Sequence, residues 1–175
     1  MSLIVENGTG KSDAESYVSV TDADTYHSNR SNTTWAALST AAKESALRKA
    51  TDYMVGNYRL KWKGRRVLST QSLDWPRAGV ILEEYNVYPS YGLFQVSYTI
   101  VPNEVKNACA ELALRVSVGT TLADDITQQA IKKTVGPITV EYSKDAPVYT
   151  VYRQIDMMLK AYLMTNGATV KLVRT

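Results

Sequence analysis

Ala42-Lys43-Glu44-Ser45-Ala46-Leu47-Arg48-Lys49-Ala50-Thr51-Asp52-Tyr53-Met54 is the stretch that decides the fold class. Ala42, Ala46, Leu47, Ala50, Tyr53 and Met54 recur at the three- and four-residue spacing of one helix face. Lys43, Glu44, Arg48, Lys49 and Asp52 fall on the opposite side. Ser39 or Thr40 offers the side-chain oxygen that a helix N-terminus needs, so the spacing predicts a helix over about 40–58.

The same period recurs further along. Val105, Ala108, Cys109, Leu112, Ala113 and Val116 mark a second helix over about 102–118, with Pro102 in the first turn and Gly119 as its stop. Val151, Ile155, Met158, Leu159, Tyr162 and Leu163 mark a third, over about 148–164, preceded by Pro147 and stopped by Gly167. A shorter helix is expected at 22–29, capped by Thr21 with Asp24 as an imperfect capping box. Ser31-Asn32-Thr33 breaks it, and Trp35, Ala36 and Leu38 follow as a short apolar element.

Other stretches resist a helical reading. Residues 1–19 read as an irregular lead-in with a short strand at Leu3–Val5. Pro76 and Gly79 interrupt Leu73-Asp74-Trp75-Pro76-Arg77-Ala78-Gly79-Val80, and Glu83 to Thr99 is a Tyr-rich loop or hairpin. Ile138, Val140 and Tyr142 alternate with Thr139 and Glu141, which suits a strand or arm. The expected class is therefore mainly α: a small helical bundle with a long irregular 59–100 segment and minor β structure or an extended arm near 134–142 and 168–175. Residues 1–120 should form the core with its lead-in, and 121–175 a C-terminal extension, in the same domain or as a docking arm.

A chain of 175 residues fits one domain and buries about two thirds of its unfolded surface, so its core needs no staple. Cys109 is the only cysteine, which excludes an intrachain disulfide and fits a reducing cytosol. No apolar run approaches the roughly 18 residues of a membrane span. The start lacks the basic end and apolar stretch of a signal peptide, so synthesis in the cytoplasm and no membrane partner are expected. Twelve Tyr and three Trp against one Phe suit either large interfaces or a half-buried core in which Tyr replaces Phe.

The search for chemistry is mostly negative. Gly8-Thr9-Gly10-Lys11-Ser12 looks like a phosphate-binding loop, but Val5 stands where that motif needs glycine and no helix period follows. His27, the only histidine, could work with Asp24 or Asp22, yet no nucleophile-elbow pattern is present. Cys109 lies on an apolar helix face. One His and one Cys cannot build a standard zinc site, and Asp124-Asp125 lacks further oxygen ligands. No enzyme, catalytic residue, cofactor or metal is expected.

The best functional feature is Arg59-Leu60-Lys61-Trp62-Lys63-Gly64-Arg65-Arg66. Net charge is only +3, so this cluster says more than the total. Three readings stay open: a solvated loop whose Trp62 packs inward, a protein interface, or DNA contact with Trp62 stacking on a base. Arg59, Lys61, Trp62, Lys63, Arg65 and Arg66 are thus the interface or DNA-channel candidates.

Several segments together resemble one family: Gly8-Thr9-Gly10 with Ser16-Tyr17-Val18-Ser19, Ala23-Asp24-Thr25-Tyr26-His27, Trp35, Ala50-Thr51-Asp52-Tyr53, Trp62-Lys63-Gly64-Arg65-Arg66, Leu73 to Val80, and Ile100-Val101-Pro102 before an Ala-rich helix. They look like the phage family that carries the label DnaT-like single-stranded-DNA-binding, over about residues 4–118. Its members resemble the head–tail adaptor, or head-completion, proteins of tailed phages. The resemblance implies a structural virion protein: a neck connector that joins the portal protein to a neck or tail-completion protein. It would form a twelve-fold homo-oligomeric ring that extends the channel for double-stranded DNA. The family label implies the alternative, a single-stranded-DNA-binding replication protein. Under the resemblance, Trp75, Pro76 and Arg77 are structural, with Trp75 on the helix 40–58 and Arg77 paired with a carboxylate.

Overall fold

In a computed structural model, the described residues are 2–82, 94–122, 132–135, 138–141 and 150–164. The chain is mainly α with minor β structure. Its helices are α1 (Val20–Ser28), α2 (Thr33–Ala36), α3 (Thr40–Tyr58), α4 (Asn103–Ser117) and α5 (Arg153–Leu159), which runs on as a 3-10 turn, Lys160–Tyr162. Three antiparallel pairs of short strands accompany them. They are β1 (Arg65–Arg66) with β2 (Arg77–Ala78), β3 (Ile81–Leu82) with β4 (Phe94–Gln95), and β5 (Lys132–Val135) with β6 (Ile138–Glu141).

The core forms where the two long helices meet. Leu47, Ala50 and Met54 of α3 face Val105, Ala108, Cys109 and Leu112 of α4, all fully buried. Alanine at 46, 50, 108, 110 and 113 keeps side chains short where the backbones approach. Helix α3 starts as expected, with Ser39 Oγ accepting the Ala42 N–H. Helix α1 does not: its cap is Ser19, whose Oγ accepts the Asp22 N–H at 3.0 Å, in place of Thr21. Ser19 has the extended backbone that points its hydroxyl at the first turn.

Three other expectations need revision. Helix α5 begins at Arg153 instead of 148, and its last turn tightens to 3-10 geometry. The expected strand at Leu3–Val5 shrinks to one isolated bridge, Val5 to Ser16, in a lead-in that buries Ala14, Tyr17 and Val18. The 59–100 segment is less irregular than its sequence suggests, because β1 to β4 fall within it. The expected strand near 134–142 appears as the β5–β6 hairpin. Residues 83–93 of the Tyr-rich stretch, Asp124-Asp125, Tyr142 and the tail 168–175 lie outside the described residues.

The glycine loop explains its own look. Glu6 is 1% exposed and its carboxylate sits inside the loop. Its Oε1 accepts the Gly8 and Gly10 N–H groups at 2.8 and 3.0 Å, and its Oε2 accepts the Lys11 N–H at 2.8 Å. Successive backbone N–H groups turned inward make an anion-binding concavity. Here the anion is an internal carboxylate. Gly8 and Gly10 both adopt positive φ, and a Cβ at Gly8 would stand 1.9 Å from the Thr99 carbonyl oxygen. Among the described residues, no helix is long and apolar enough to cross a membrane.

Candidate nucleic-acid interface

The basic segment leaves the end of α3 and is clamped from both sides. Trp62 bridges to Leu163, the Lys63 N–H donates to the Tyr162 carbonyl at 2.9 Å, and the Met164 N–H donates to the Lys61 carbonyl at 2.7 Å. Extended backbone alternates its side chains between faces. Trp62 therefore points in, 1% exposed, while Lys61 points out. The Trp62 ring lies 5.8 Å from Tyr58 and 5.7 Å, edge-on, from Trp75. A ring held in that place cannot stack on a base, so Trp62 anchors the segment from within.

The cations divide by position. Arg59, Lys61, Arg65 and Arg66 are exposed and Lys63 is half-buried. Arg59 Nε donates to the buried Asp74 Oδ1 at 2.9 Å. Arg66 donates to the Gln71 carbonyl at 3.0 Å, and Lys61 Nζ to Asn57 Oδ1 at 3.3 Å. Lys63 Nζ reaches across to the Ile81 carbonyl at 3.3 Å. Most of these bonds end on neutral oxygens, which leaves positive charge on the surface.

Trp75 and Pro76 are buried and joined by a cis peptide bond. Trp75 is edge-on to Trp62 and to Tyr162, each at 5.7 Å, so the ring that links it to α3 is Trp62. The expected pairing of Arg77 with a carboxylate gives way to three carbonyls. Its guanidinium donates to the oxygens of Lys63 at 2.8 Å, Gly64 at 2.7 Å and Asp74 at 3.2 Å. Burial pushes Arg77 below the usual arginine range. The side chain ties β2 to the basic segment, which a surface ion pair could not do.

Two exposed aromatic rings escaped the sequence reading. Phe94 is 50% and Tyr98 57% exposed. The signal was the Tyr-rich character of the stretch, but composition says nothing about which ring faces out.

His27 is buried beside a hollow of about 380 Å³ that Asp24, Asn32, Trp35 and Lys43 also line. Its ring lies 4.7 Å from Trp35. Its Nε2 is 3.1 Å from the Ala110 carbonyl, an acceptor, so Nε2 carries the proton and Nδ1 accepts from the Asn32 amide at 2.9 Å. Burial holds its pKa below the ordinary value of 6.5. The unfolded chain then binds the proton more readily than the folded one. Stability from this residue is fully present above about pH 6.5 and is lost as pH falls through the lower folded value. The melting temperature is expected to drop between about pH 7 and 5, with a flatter profile for His27→Gln. Parallel profiles for the two proteins would show that His27 is not the cause.

Tyr26 donates to Glu111 Oε1 at 3.0 Å, and burial first, then this carboxylate, push its pKa to about 12. Burial likewise raises Cys109 to about 11, so its thiol is inert. Among the described residues, no group of three or more His, Cys, Asp or Glu is placed to hold a metal ion.

Comparison with known proteins gives one family match. Its description is "Putative DnaT-like ssDNA binding protein", and the match covers residues 1–175. No curated protein and no solved structure matches. The match corrects the adaptor reading. It carries no portal protein, neck or tail-completion protein, twelve-fold ring, double-stranded DNA channel or virion location, so head completion and the phage neck connector are withdrawn. The residues quoted for that resemblance explain the error. Trp62, Trp75 and Arg77 are buried and hold the fold, and such positions report ancestry without reporting assembly. The final third, beyond the 4–118 span of the resemblance, is inside the match. From its first residue to its last, the chain belongs to the DnaT-like family.

Proposed function

We propose that this protein binds single-stranded DNA through the basic segment and serves replication as a binder, without catalysing a reaction. The observation that carries the reading is the clamped segment 59–66, which holds Arg59, Lys61, Arg65 and Arg66 outward over a buried Trp62. The description of the family supports it. A rigid array of cations pre-arranges phosphate contacts and so lowers the ordering cost of binding. Phosphate contact needs no base readout, which suits a binder tolerant of sequence.

The test is fluorescence anisotropy with labelled oligothymidine at several salt concentrations. Each phosphate neutralised on a single strand contributes about −0.7 to the slope of log affinity against log salt. With Arg59 paired to Asp74, contacts from Lys61, Arg65 and Arg66 predict a slope of about −2, and the double variant Lys61→Glu with Arg65→Glu should flatten it by about 1.4. A chain that ignores oligothymidine at low salt, or a double variant that binds like the parent, defeats the proposal.

A further inference from the structure

Two of the exposed cations end on one turn. Arg66 Nη1 donates to the Gln71 carbonyl at 3.0 Å, and Arg59 Nη2 donates to the Ser72 carbonyl at 3.3 Å. These carbonyls belong to consecutive residues, whose Cα atoms stand about 3.8 Å apart. The two guanidinium groups are thereby brought together, although their residues are seven apart in the chain. Arg59 is held on its buried side as well, by Nε on Oδ1 of the fully buried Asp74 at 2.9 Å. The turn beneath them is fixed. Gln71 is 2% exposed, its Oε1 accepts the Leu68 N–H at 2.9 Å, and its Nε2 donates to the carbonyls of Leu73 and Pro76 at 2.9 and 3.1 Å. The Ser72 N–H donates to the Lys11 carbonyl at 3.0 Å, and its hydroxyl to the Ala14 carbonyl at 2.7 Å. An arginine carries more N–H donors than these bonds use, and both side chains open to solvent.

We infer that Arg59 and Arg66 form a clamp that takes one phosphodiester of the bound strand over the Gln71–Ser72 turn. The inference rests on the proposed single-strand binding and adds to it a fixed point on an otherwise diffuse track of charge. A guanidinium presents its donors in a planar fork that matches the oxygens of a phosphate. Two forks already held on neighbouring carbonyls meet that phosphate at little ordering cost. Charge selects the kind of phosphate. Asp74 offsets Arg59, so the pair carries one net positive charge. That balances a diester inside a strand and not the near-dianion of a terminal phosphate. Arg59 thus supplies donors, and Arg66 supplies both donors and charge.

Oligothymidine anisotropy on the full chain tests the clamp with Arg66→Lys, Arg59→Lys and the double variant, each checked for folding by its melting temperature. Lysine keeps the charge and, at 59, a cation for the buried Asp74, but it loses the fork. Each single variant should bind about tenfold more weakly, the worth of a charged hydrogen bond lost. The salt slope should stay at the parent value, because no charge is removed. The double variant should lose little more than the weaker single variant, because both arms hold the same phosphate. A 5′-phosphate on the strand should change the affinity little. Variants that bind like an active parent overturn the clamp and leave the basic track standing. Arg66→Lys, at an exposed position, decides this even where Arg59→Lys does not fold. Losses that multiply in the double variant put the two arms on separate phosphates and overturn the clamp too. So does clearly tighter binding of the 5′-phosphorylated strand. A parent that does not bind oligothymidine ends the functional proposal itself, before any variant is made.

Discussion

Trp75→Ala should destabilise the protein by about 3–5 kcal/mol, the usual cost of truncating a fully buried large aromatic. Trp75 is 0% exposed and stands between Trp62 and Tyr162, edge-on to both. Edge-to-face pairs of this kind add about 0.5–1.5 kcal/mol beyond the area they bury. Through Trp62 the series continues to Tyr58 at the end of α3. Four rings thus join the basic segment, the Trp75 loop and the C-terminal 3-10 turn to α3, whose core the other three pieces share. A chain of this length shifts its melting temperature by about 2–4 °C per kcal/mol, so the loss should be near 10 °C. Circular dichroism melts would read it. An unchanged melting temperature would show that the rings slide past the gap and that the basic segment is clamped by its backbone bonds alone. If the rings do fix that segment, the variant should also bind oligothymidine more weakly while still folded.

Glu6→Ala has the second large expected effect, about 3 kcal/mol. The Glu6 carboxylate satisfies three backbone N–H groups at 2.8 to 3.0 Å. Each buried donor left without a partner costs about 1–3 kcal/mol, reduced where the loop relaxes or water enters. Glu6→Gln keeps one acceptor oxygen but aims an NH₂ at the remaining donors, so it should fall between the two. Urea denaturation at neutral pH distinguishes them. A Glu6→Ala protein within about 0.5 kcal/mol of the parent would mean that the loop is satisfied by solvent and is not organised by the carboxylate. The same arrangement explains why a glycine-rich loop followed by Lys-Ser need not bind nucleotides: its amides are already engaged.

The helices were legible because their signal is local. In 40–58 and 102–118 apolar residues repeat at the period of the α-helix, and Ser39 announces where the first begins. The end of α5 was less legible, because the change to a 3-10 turn at Lys160 answers to the strand-like pairing of Leu163 with Trp62, a contact a hundred residues away in the chain. Strands of two residues, such as β1 to β4, cannot show alternation at all, and only their partners identify them. The basic segment was visible as charge, but Trp62 is amphipathic and could face either way. Its direction was set by Tyr58 and Trp75, brought together by the fold.

By itself the sequence determined the mainly α class, the positions of α3 and α4, the basic cluster and, through its motif residues, the family. Tertiary structure alone decided that Trp62 is an anchor, that Arg77 binds carbonyls and that Glu6 fills its own glycine loop. Periodicity and capping act over one or two turns and can be read along the chain. Burial, pairing and exposure depend on residues far apart in sequence, and exist only once the core of α3 and α4 has brought them together.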